Sequence, residues 1–232
     1  LGKPLEGDEE VVDWTPFSNW THDLAWHPSG AMLAWSTQGG DLHVGDVTSG
    51  SLLGSIEGAH NSVMRSTGNL RWSRSGDHLI SVGGFPSRTR VWNAQEFIKE
   101  SPLKGHSQTI YAVDWDPTGL RFVSGSGDNS LRIWDATTGD CLLTLRDHED
   151  DVREVAWSPD GTRIASADWS AGFFVWEAAT GKMLFDLSGE HSVRDLSWSH
   201  DGKELVGRRL GRVEFWNLVT GENYSKPWPS GE

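Results

Sequence analysis

The chain has 232 residues, of which 36% are hydrophobic and 14 are tryptophan, and its formal net charge is −13. That length is enough for a sizeable core, and the negative charge disfavours nucleic acid as the main ligand, because phosphate contacts require clustered Lys and Arg. No apolar run approaches the roughly 20 residues that a membrane helix needs. We therefore expect a globular chain that neither crosses a membrane nor has nucleic acid as its main ligand.

The tryptophans recur at a nearly constant interval along the chain. One series is spaced by 41 to 46 residues, and every member is followed four residues later by a glycine in a turn-like segment: Trp26, Trp72, Trp115, Trp157 and Trp198. A second series is spaced by 40 to 42 residues: Trp92, Trp134, Trp176 and Trp216. In the first unit, Gly45-Asp46 occupies the position of the second series. Two phased series indicate an internal repeat, and we interpret their tryptophans as core packing between neighbouring sheets.

Short alternating segments lie between the tryptophans, most clearly in the third unit. There, residues 109–114, 120–125, 130–134 and 141–146 are runs of five or six residues bounded by turn formers, which is typical of strands. Hairpin-sized connections at 116–119 and 137–139 predict an antiparallel order. Four such strands cannot cover both faces of their own sheet, so the units are expected to stack around an axis.

At this point the chain resembles the WD-repeat family. Gly105-His106 is followed 28 residues after the histidine by Trp134-Asp135, which matches the GH…WD pattern of that family, and His60, His148 and His191 occupy the same histidine position in other units. The resemblance extends from about Phe17 to Trp228 and implies an all-β fold, a β-propeller of four-stranded antiparallel blades. We expect about five WD-type blades in one domain, 1–232, with approximate units 17–59, 60–105, 106–147, 148–190 and 191–228.

The number of units leaves three alternatives for ring closure. The ring closes with five blades, sequence beyond this chain extends it, or irregular units at the ends complete it. A propeller must protect its sheet edges, and we favour a section of a larger multidomain protein.

The third unit combines His106, Ser124, Asp128 and Trp134. A hydrolytic triad is one interpretation, but the resemblance implies instead a structural chain from indole through hydroxyl and imidazole to carboxylate, which satisfies buried polar groups. We expect this network to be complete only in the third unit. In the fourth unit Ser170 aligns with the acid, and in the fifth unit Val206 and Leu210 replace the hydroxyl and the acid. No other pattern indicates a catalytic residue, a metal site or a cofactor.

The resemblance also assigns two repeat positions to one rim of the propeller, the top face. One lies four residues before each tryptophan of the first series, and the other lies seven residues before each tryptophan of the second. Trp, Tyr and Arg are enriched in contact hot spots, and clustered Arg favours an acidic partner segment. The predicted partner-binding residues are His22, Phe85, Tyr111, Arg153, Trp169, Arg194 and Arg209.

The leading functional hypothesis is a non-catalytic scaffold or sensor module that binds a protein or peptide segment on its top face, and the clustered Arg make an acidic segment the expected partner. Two alternatives remain: an enzyme with an active site at the channel mouth, and a purely structural assembly unit of a larger multidomain protein. Cys141 has no second cysteine with which to pair, so we expect a reducing, cytoplasmic location.

Overall fold

The structure is a computed structural model that describes residues 21–37, 39–59, 70–83, 88–94 and 105–226. Those residues form 19 strands, arranged in five sheets. No helix in the described part of the chain is long and apolar enough to cross a membrane.

Each sheet is formed by consecutive strands paired in chain order. The first contains β1 (Thr21–Trp26), β2 (Met32–Thr37), β3 (Leu42–Asp46) and β4 (Leu52–Ile56). The second contains β5 (Leu70–Trp72), β6 (His78–Gly83) and β7 (Arg88–Asn93). The third contains β8 (Ile110–Trp115), β9 (Arg121–Ser126), β10 (Leu131–Asp135) and β11 (Cys141–Leu145). The fourth contains β12 (Val152–Trp157), β13 (Arg163–Asp168), β14 (Phe173–Glu177) and β15 (Met183–Asp186). The fifth contains β16 (Arg194–Trp198), β17 (Glu204–Arg209), β18 (Arg212–Asn217) and β19 (Asn223–Lys226).

Every pairing between these strands is antiparallel. The predicted all-β fold is therefore confirmed, with four-stranded antiparallel sheets in the first, third, fourth and fifth units and three strands within the described residues of the second. Each sheet lies within one of the predicted repeat units, whose boundaries stay a prediction.

The core lies between consecutive sheets. Each hydrophobic cluster combines one face of a sheet with the opposite face of the next sheet; for example, Val123 and Ile133 of the third sheet pack with Trp157 and Trp176 of the fourth. Trp92, Trp134 and Trp176 are among the largest fully buried side chains. Burying a large aromatic side chain stabilises a fold by about 2–3 kcal/mol, so the tryptophan repeat accounts for much of the packing between sheets.

The glycine that follows each first-series tryptophan is required by the turn. Gly119 has a φ of 73° and Gly161 a φ of 75°, a left-handed conformation that a residue with a Cβ adopts only at a cost. In the third sheet, the N–H of Gly119 donates to the carbonyl of Asp116 at 3.1 Å, which closes the turn between β8 and β9.

Candidate functional site

The four polar residues of the third sheet form one connected chain. The Trp134 indole N–H donates to Ser124 Oγ at 2.8 Å, and Ser124 Oγ lies 2.7 Å from His106 Nε2. On its other side, His106 Nδ1 lies 3.0 Å from both carboxylate oxygens of Asp128. Ser124 is 0% exposed, so a substrate has no access to its hydroxyl, and the geometry is that of a structural network rather than a nucleophile with its base.

The electrostatics of this chain hold Asp128 in its ionised form. Burial acts to raise the pKa of Asp128, but hydrogen bonds from Ser130 Oγ, the Ser107 N–H and His106 outweigh it and lower this pKa to about 2. Burial lowers the pKa of His106, against the opposing effect of Asp128. The carboxylate therefore orients a buried imidazole and fixes the segment before β8 onto the hairpin between β9 and β10.

The fourth sheet carries a second complete network, so the prediction that only the third unit is complete was wrong. The Trp176 indole donates to Ser166 Oγ at 2.8 Å, and Ser166 Oγ lies 2.7 Å from His148 Nε2. The acid is Asp168, whose Oδ2 lies 2.9 Å from His148 Nδ1. Ser170, which alignment places at the acid position, instead donates its hydroxyl to Asp168. The hairpin between β13 and β14 brings the last residue of β13 to the histidine, which residue counting alone did not reveal.

The fifth sheet lacks the network, as predicted, but the residue at the hydroxyl position is one further along the chain than predicted. Trp216 pairs with Leu205, which places Gly207, and not Val206, at the position of Ser124. Leu210 and Gly211 both have positive φ, 51° and 74°, and form a two-residue hairpin turn. This tight turn removes the loop position that supplies Asp128 in the third sheet, and register places Arg209 at the position that Asp168 occupies in the fourth.

A β-bulge recurs at the start of the first strand of a sheet. In the third sheet the register shifts between Ile110 and Ala112, which leaves Tyr111 as the extra residue. In the fourth sheet the shift lies between Val152 and Glu154, so Arg153 is extra. Bulges are known to redirect side chains next to functional sites. Because the bulge interrupts strict alternation, the pattern of the sequence could assign these residues to a rim but could not show their direction.

Four of the predicted partner-binding residues form a stack that spans three sheets. The Arg153 guanidinium lies 3.5 Å from the centroid of the Tyr111 ring and 4.7 Å from that of Trp169. The Arg194 guanidinium lies 4.3 Å from the Trp169 centroid. Each such cation–π contact contributes about 0.5–2 kcal/mol. The order Tyr111, Arg153, Trp169, Arg194 makes a preformed surface, which we call the top-face stack.

The arginines of the stack differ in availability. Arg153 Nη2 donates to Asp151 Oδ2 at 2.7 Å, so its charge is neutralised and both faces of its guanidinium are covered. The Arg194 guanidinium makes no hydrogen bond to any residue in the described part of the chain, although its charge is close enough to lower the pKa of Glu154 against the effect of burial. Trp169 is 55% exposed. Arg194 and Trp169 are therefore the members of the stack that present free polar donors and apolar surface.

The remaining predicted contact residues lie elsewhere. Arg209 is separate from the stack, because its guanidinium packs 5.4 Å from the Trp216 ring centroid and lies 3.4 Å from Glu214 Oε2. Phe85 and the side chain of His22 lie outside the described part of the structure.

Next to the stack, the first strands of the third, fourth and fifth sheets line a cavity of about 520 Å³. Its lining includes Tyr111, Arg153, Asp114, Glu154 and Asp195. Sequence reasoning did not identify its carboxyl groups. Asp114 Oδ2 accepts the N–H of Trp157 at 2.7 Å and thereby ties β8 to the next sheet. Burial raises the pKa of Asp114 to about 6, although the backbone N–H groups of Trp157 and Trp115 and the positive charge of Arg71 act to lower it. Burial likewise raises the pKa of Glu154.

Comparison with known proteins finds the WD domain, G-beta repeat, at residues 97–135 and 139–177. The chain is 28% identical over 113 residues to the B-type cell cycle switch protein ccs52B of Medicago truncatula, which covers 47% of this chain and 22% of that protein. It is 34% identical over 65 residues to the anaphase-promoting complex subunit cdh1 of Dictyostelium discoideum, covering 28% and 9%. It is 35% identical over 69 residues to eukaryotic translation initiation factor 3 subunit I of Mycosarcoma maydis, covering 30% and 20%. The chain thus spans less than a quarter of the length of these relatives.

Proposed function

The chain carries WD40 repeats, and from this premise we propose that it is a non-catalytic module that binds a protein or peptide segment on the top-face stack. The similar proteins include a subunit of the anaphase-promoting complex and a subunit of a translation initiation factor, so relatives of these repeats work within assemblies. The observation that carries the proposal is the alternation of aromatic rings and guanidinium groups from Tyr111 to Arg194. Rigid aromatic and arginine side chains at a surface are typical of contact hot spots.

The partner segment that fits this surface combines an apolar side chain with an acidic one. The exposed indole of Trp169 provides apolar area, and the stacked guanidinium of Arg194 offers donors in a geometry that suits a carboxylate. Arg153 contributes stiffness rather than charge, because Asp151 already neutralises it. The acidic preference proposed for the partner therefore depends on Arg194 alone.

The experiment selects binders from a displayed random peptide library on the wild-type chain and then measures their affinities for variants. Trp169→Ala and Arg194→Gln are each expected to weaken binding of the selected peptides about tenfold or more, because truncating a hot-spot residue costs about 2 kcal/mol or more. Lys203→Gln is the matched control, since it removes one charge from a side chain that is 64% exposed in the turn after β16.

Thermal unfolding of each variant verifies that the fold is retained. Peptides that bind Trp169→Ala and Arg194→Gln as tightly as the wild type would exclude the top-face stack as the contact surface. An absence of acidic residues among the selected peptides would contradict the role proposed for Arg194.

A further inference from the structure

Arg153 and Arg194 lie at the same position of the repeat but have different neighbours. Each is four residues before a first-series tryptophan. Two residues before Arg153 is Asp151, whose Oδ2 accepts a hydrogen bond from Arg153 Nη2 at 2.7 Å. Two residues before Arg194 is Ser192, which carries no charge. This difference in sequence explains why one arginine is neutralised, while the other has no carboxylate at ion-pair distance among the described residues.

The space that the Asp151 carboxylate occupies exists because residue 127 is a glycine. A Cβ at Gly127 would lie 3.1 Å from Asp151 Oδ1 and 3.2 Å from a carbon of the Tyr111 ring, which is closer than ordinary van der Waals contact. The same repeat position, seven residues before a second-series tryptophan, holds large side chains in the fourth and fifth units, Trp169 and Arg209. The missing side chain in the third unit therefore admits the carboxylate of Asp151 beside Tyr111.

Backbone hydrogen bonds hold Asp151 next to the stack. Its carbonyl accepts the N–H of Trp169 at 2.8 Å, which ties the residue before β12 to the residue after β13. Its own N–H donates to Asp150 Oδ1 at 2.7 Å. The side chains of Arg153 and Asp151 are each 27% exposed. A segment that binds to the stack therefore meets the Asp151 carboxylate together with the Arg153 guanidinium.

We propose that Asp151 is a specificity-determining residue of the top-face stack, an internal carboxylate that occupies Arg153 and restricts recognition to segments with a single acidic side chain. This inference rests on the function proposed for the stack. A second acidic side chain directed at Arg153 would lie beside the carboxylate of Asp151, and like charges placed together at an interface oppose binding. Repulsion of an unsuitable segment is a recognised source of specificity.

The geometry of the stack defines the segment that Asp151 rejects. The guanidinium carbons of Arg153 and Arg194 lie 4.7 Å and 4.3 Å from the same Trp169 ring centroid, so they are separated by no more than the sum of these distances, about 9 Å. In an extended chain, side chains two residues apart project to the same side and lie roughly 6.5–7 Å apart. An extended segment with acidic residues at positions i and i+2 can therefore reach both arginines, and this is the segment that Asp151 selects against.

Matched peptides test this on the wild-type chain and on Asp151→Asn. Asparagine keeps the size of the side chain and an oxygen for the hydrogen bond from Arg153, but it removes the charge. The first peptide is one selected on the wild-type chain whose binding requires Arg194, and its partners carry a second acidic residue two positions before or after the first. The wild type should bind the two-acid peptides no more tightly than the first, whereas Asp151→Asn should bind one of them at least about threefold more tightly.

The control for these affinities is Asp147→Asn. It removes one charge from an exposed side chain of the same acidic segment and should leave the ratio of affinities unchanged. High salt should reduce the preference of Asp151→Asn for two acids, because it screens exposed charges. If thermal unfolding shows that Asp151→Asn does not fold, Asp151→Ser replaces it, since serine is the residue at the equivalent position of the fifth unit.

Iodide quenching of Trp169 fluorescence measures the same local charge without a peptide. Trp169 is 55% exposed, and its contribution is the difference between each chain and the same chain with Trp169→Phe. Asp151→Asn should raise the iodide quenching constant about twofold, because an anion no longer meets a carboxylate beside the ring. Quenching by neutral acrylamide should not change.

The outcomes separate this inference from the function on which it rests. A ratio of affinities that is the same for the wild type and Asp151→Asn, or an unchanged iodide quenching constant, would overturn the role of Asp151. The function proposed for the stack would stand in that case, provided that the selected peptides still require Trp169 and Arg194. A selection that yields no binder, or only binders that do not need those two residues, would overturn both.

Discussion

The acid of the fourth-sheet network can be tested by removing it. Asp168 accepts hydrogen bonds from His148 Nδ1 at 2.9 Å, from the Ser170 N–H at 3.1 Å, from Ser170 Oγ at 3.0 Å and from the Gly172 N–H at 2.8 Å. The side chains of His148 and Asp168 are 0% and 1% exposed. Asp168→Ala leaves the buried imidazole donor of His148 and the hairpin N–H groups of Ser170 and Gly172 without their acceptor, and water has no access to replace it. Breaking a buried pair of this kind costs about 3–5 kcal/mol.

Urea unfolding followed by tryptophan fluorescence measures the global loss of free energy, and hydrogen exchange of β13 and β14 measures it locally, since repeat arrays can unfold unit by unit. Ser170→Ala is the matched control, because it removes only the hydroxyl bond to Asp168 and should cost no more than about 1 kcal/mol. A larger loss for Ser170→Ala than for Asp168→Ala would show that Ser170 carries the network. A loss below about 1 kcal/mol for Asp168→Ala would refute the reasoning from burial.

Three further predictions concern the described core. Asp128→Ala should lower the melting temperature, and the stability that Asp128 contributes, present above about pH 4, should be lost as pH falls toward 2, because the folded-state pKa is depressed to about 2. For Asp114 the direction is opposite: its folded-state pKa is raised to about 6, so stability falls as pH rises from about 4 to 6 and the carboxyl group ionises. Asp114→Asn should therefore flatten the slope of the unfolding free energy between about pH 4 and 6; a slope as steep as that of the wild type would contradict this. Trp115→Phe should cost about 1 kcal/mol more than Trp157→Phe, since both indoles are similarly buried but only that of Trp115 has a hydrogen-bond partner; equal losses in matched urea titrations would count against it.

Much of this fold was predictable because the repeat leaves its signal in the sequence. Trp134 and Trp176 recur at one position because each fills the same space between two sheets, and Gly119 and Gly161 recur because each turn needs a left-handed residue. Spacing of this kind survives in a single sequence. It predicted the all-β architecture, the short antiparallel strands and the members of the third-sheet network.

The sequence by itself determined which residue types occupy equivalent positions, and the tertiary structure decided which of them meet. Counting residues assigned the acid of the fourth sheet to Ser170, but the hairpin brings Asp168 to His148. It grouped Arg209 with Arg153 and Arg194, whereas Glu214 and Trp216 hold Arg209 apart. The physical reason is that position in a repeat is a one-dimensional property, while loop length and bulges set the direction of a side chain in space.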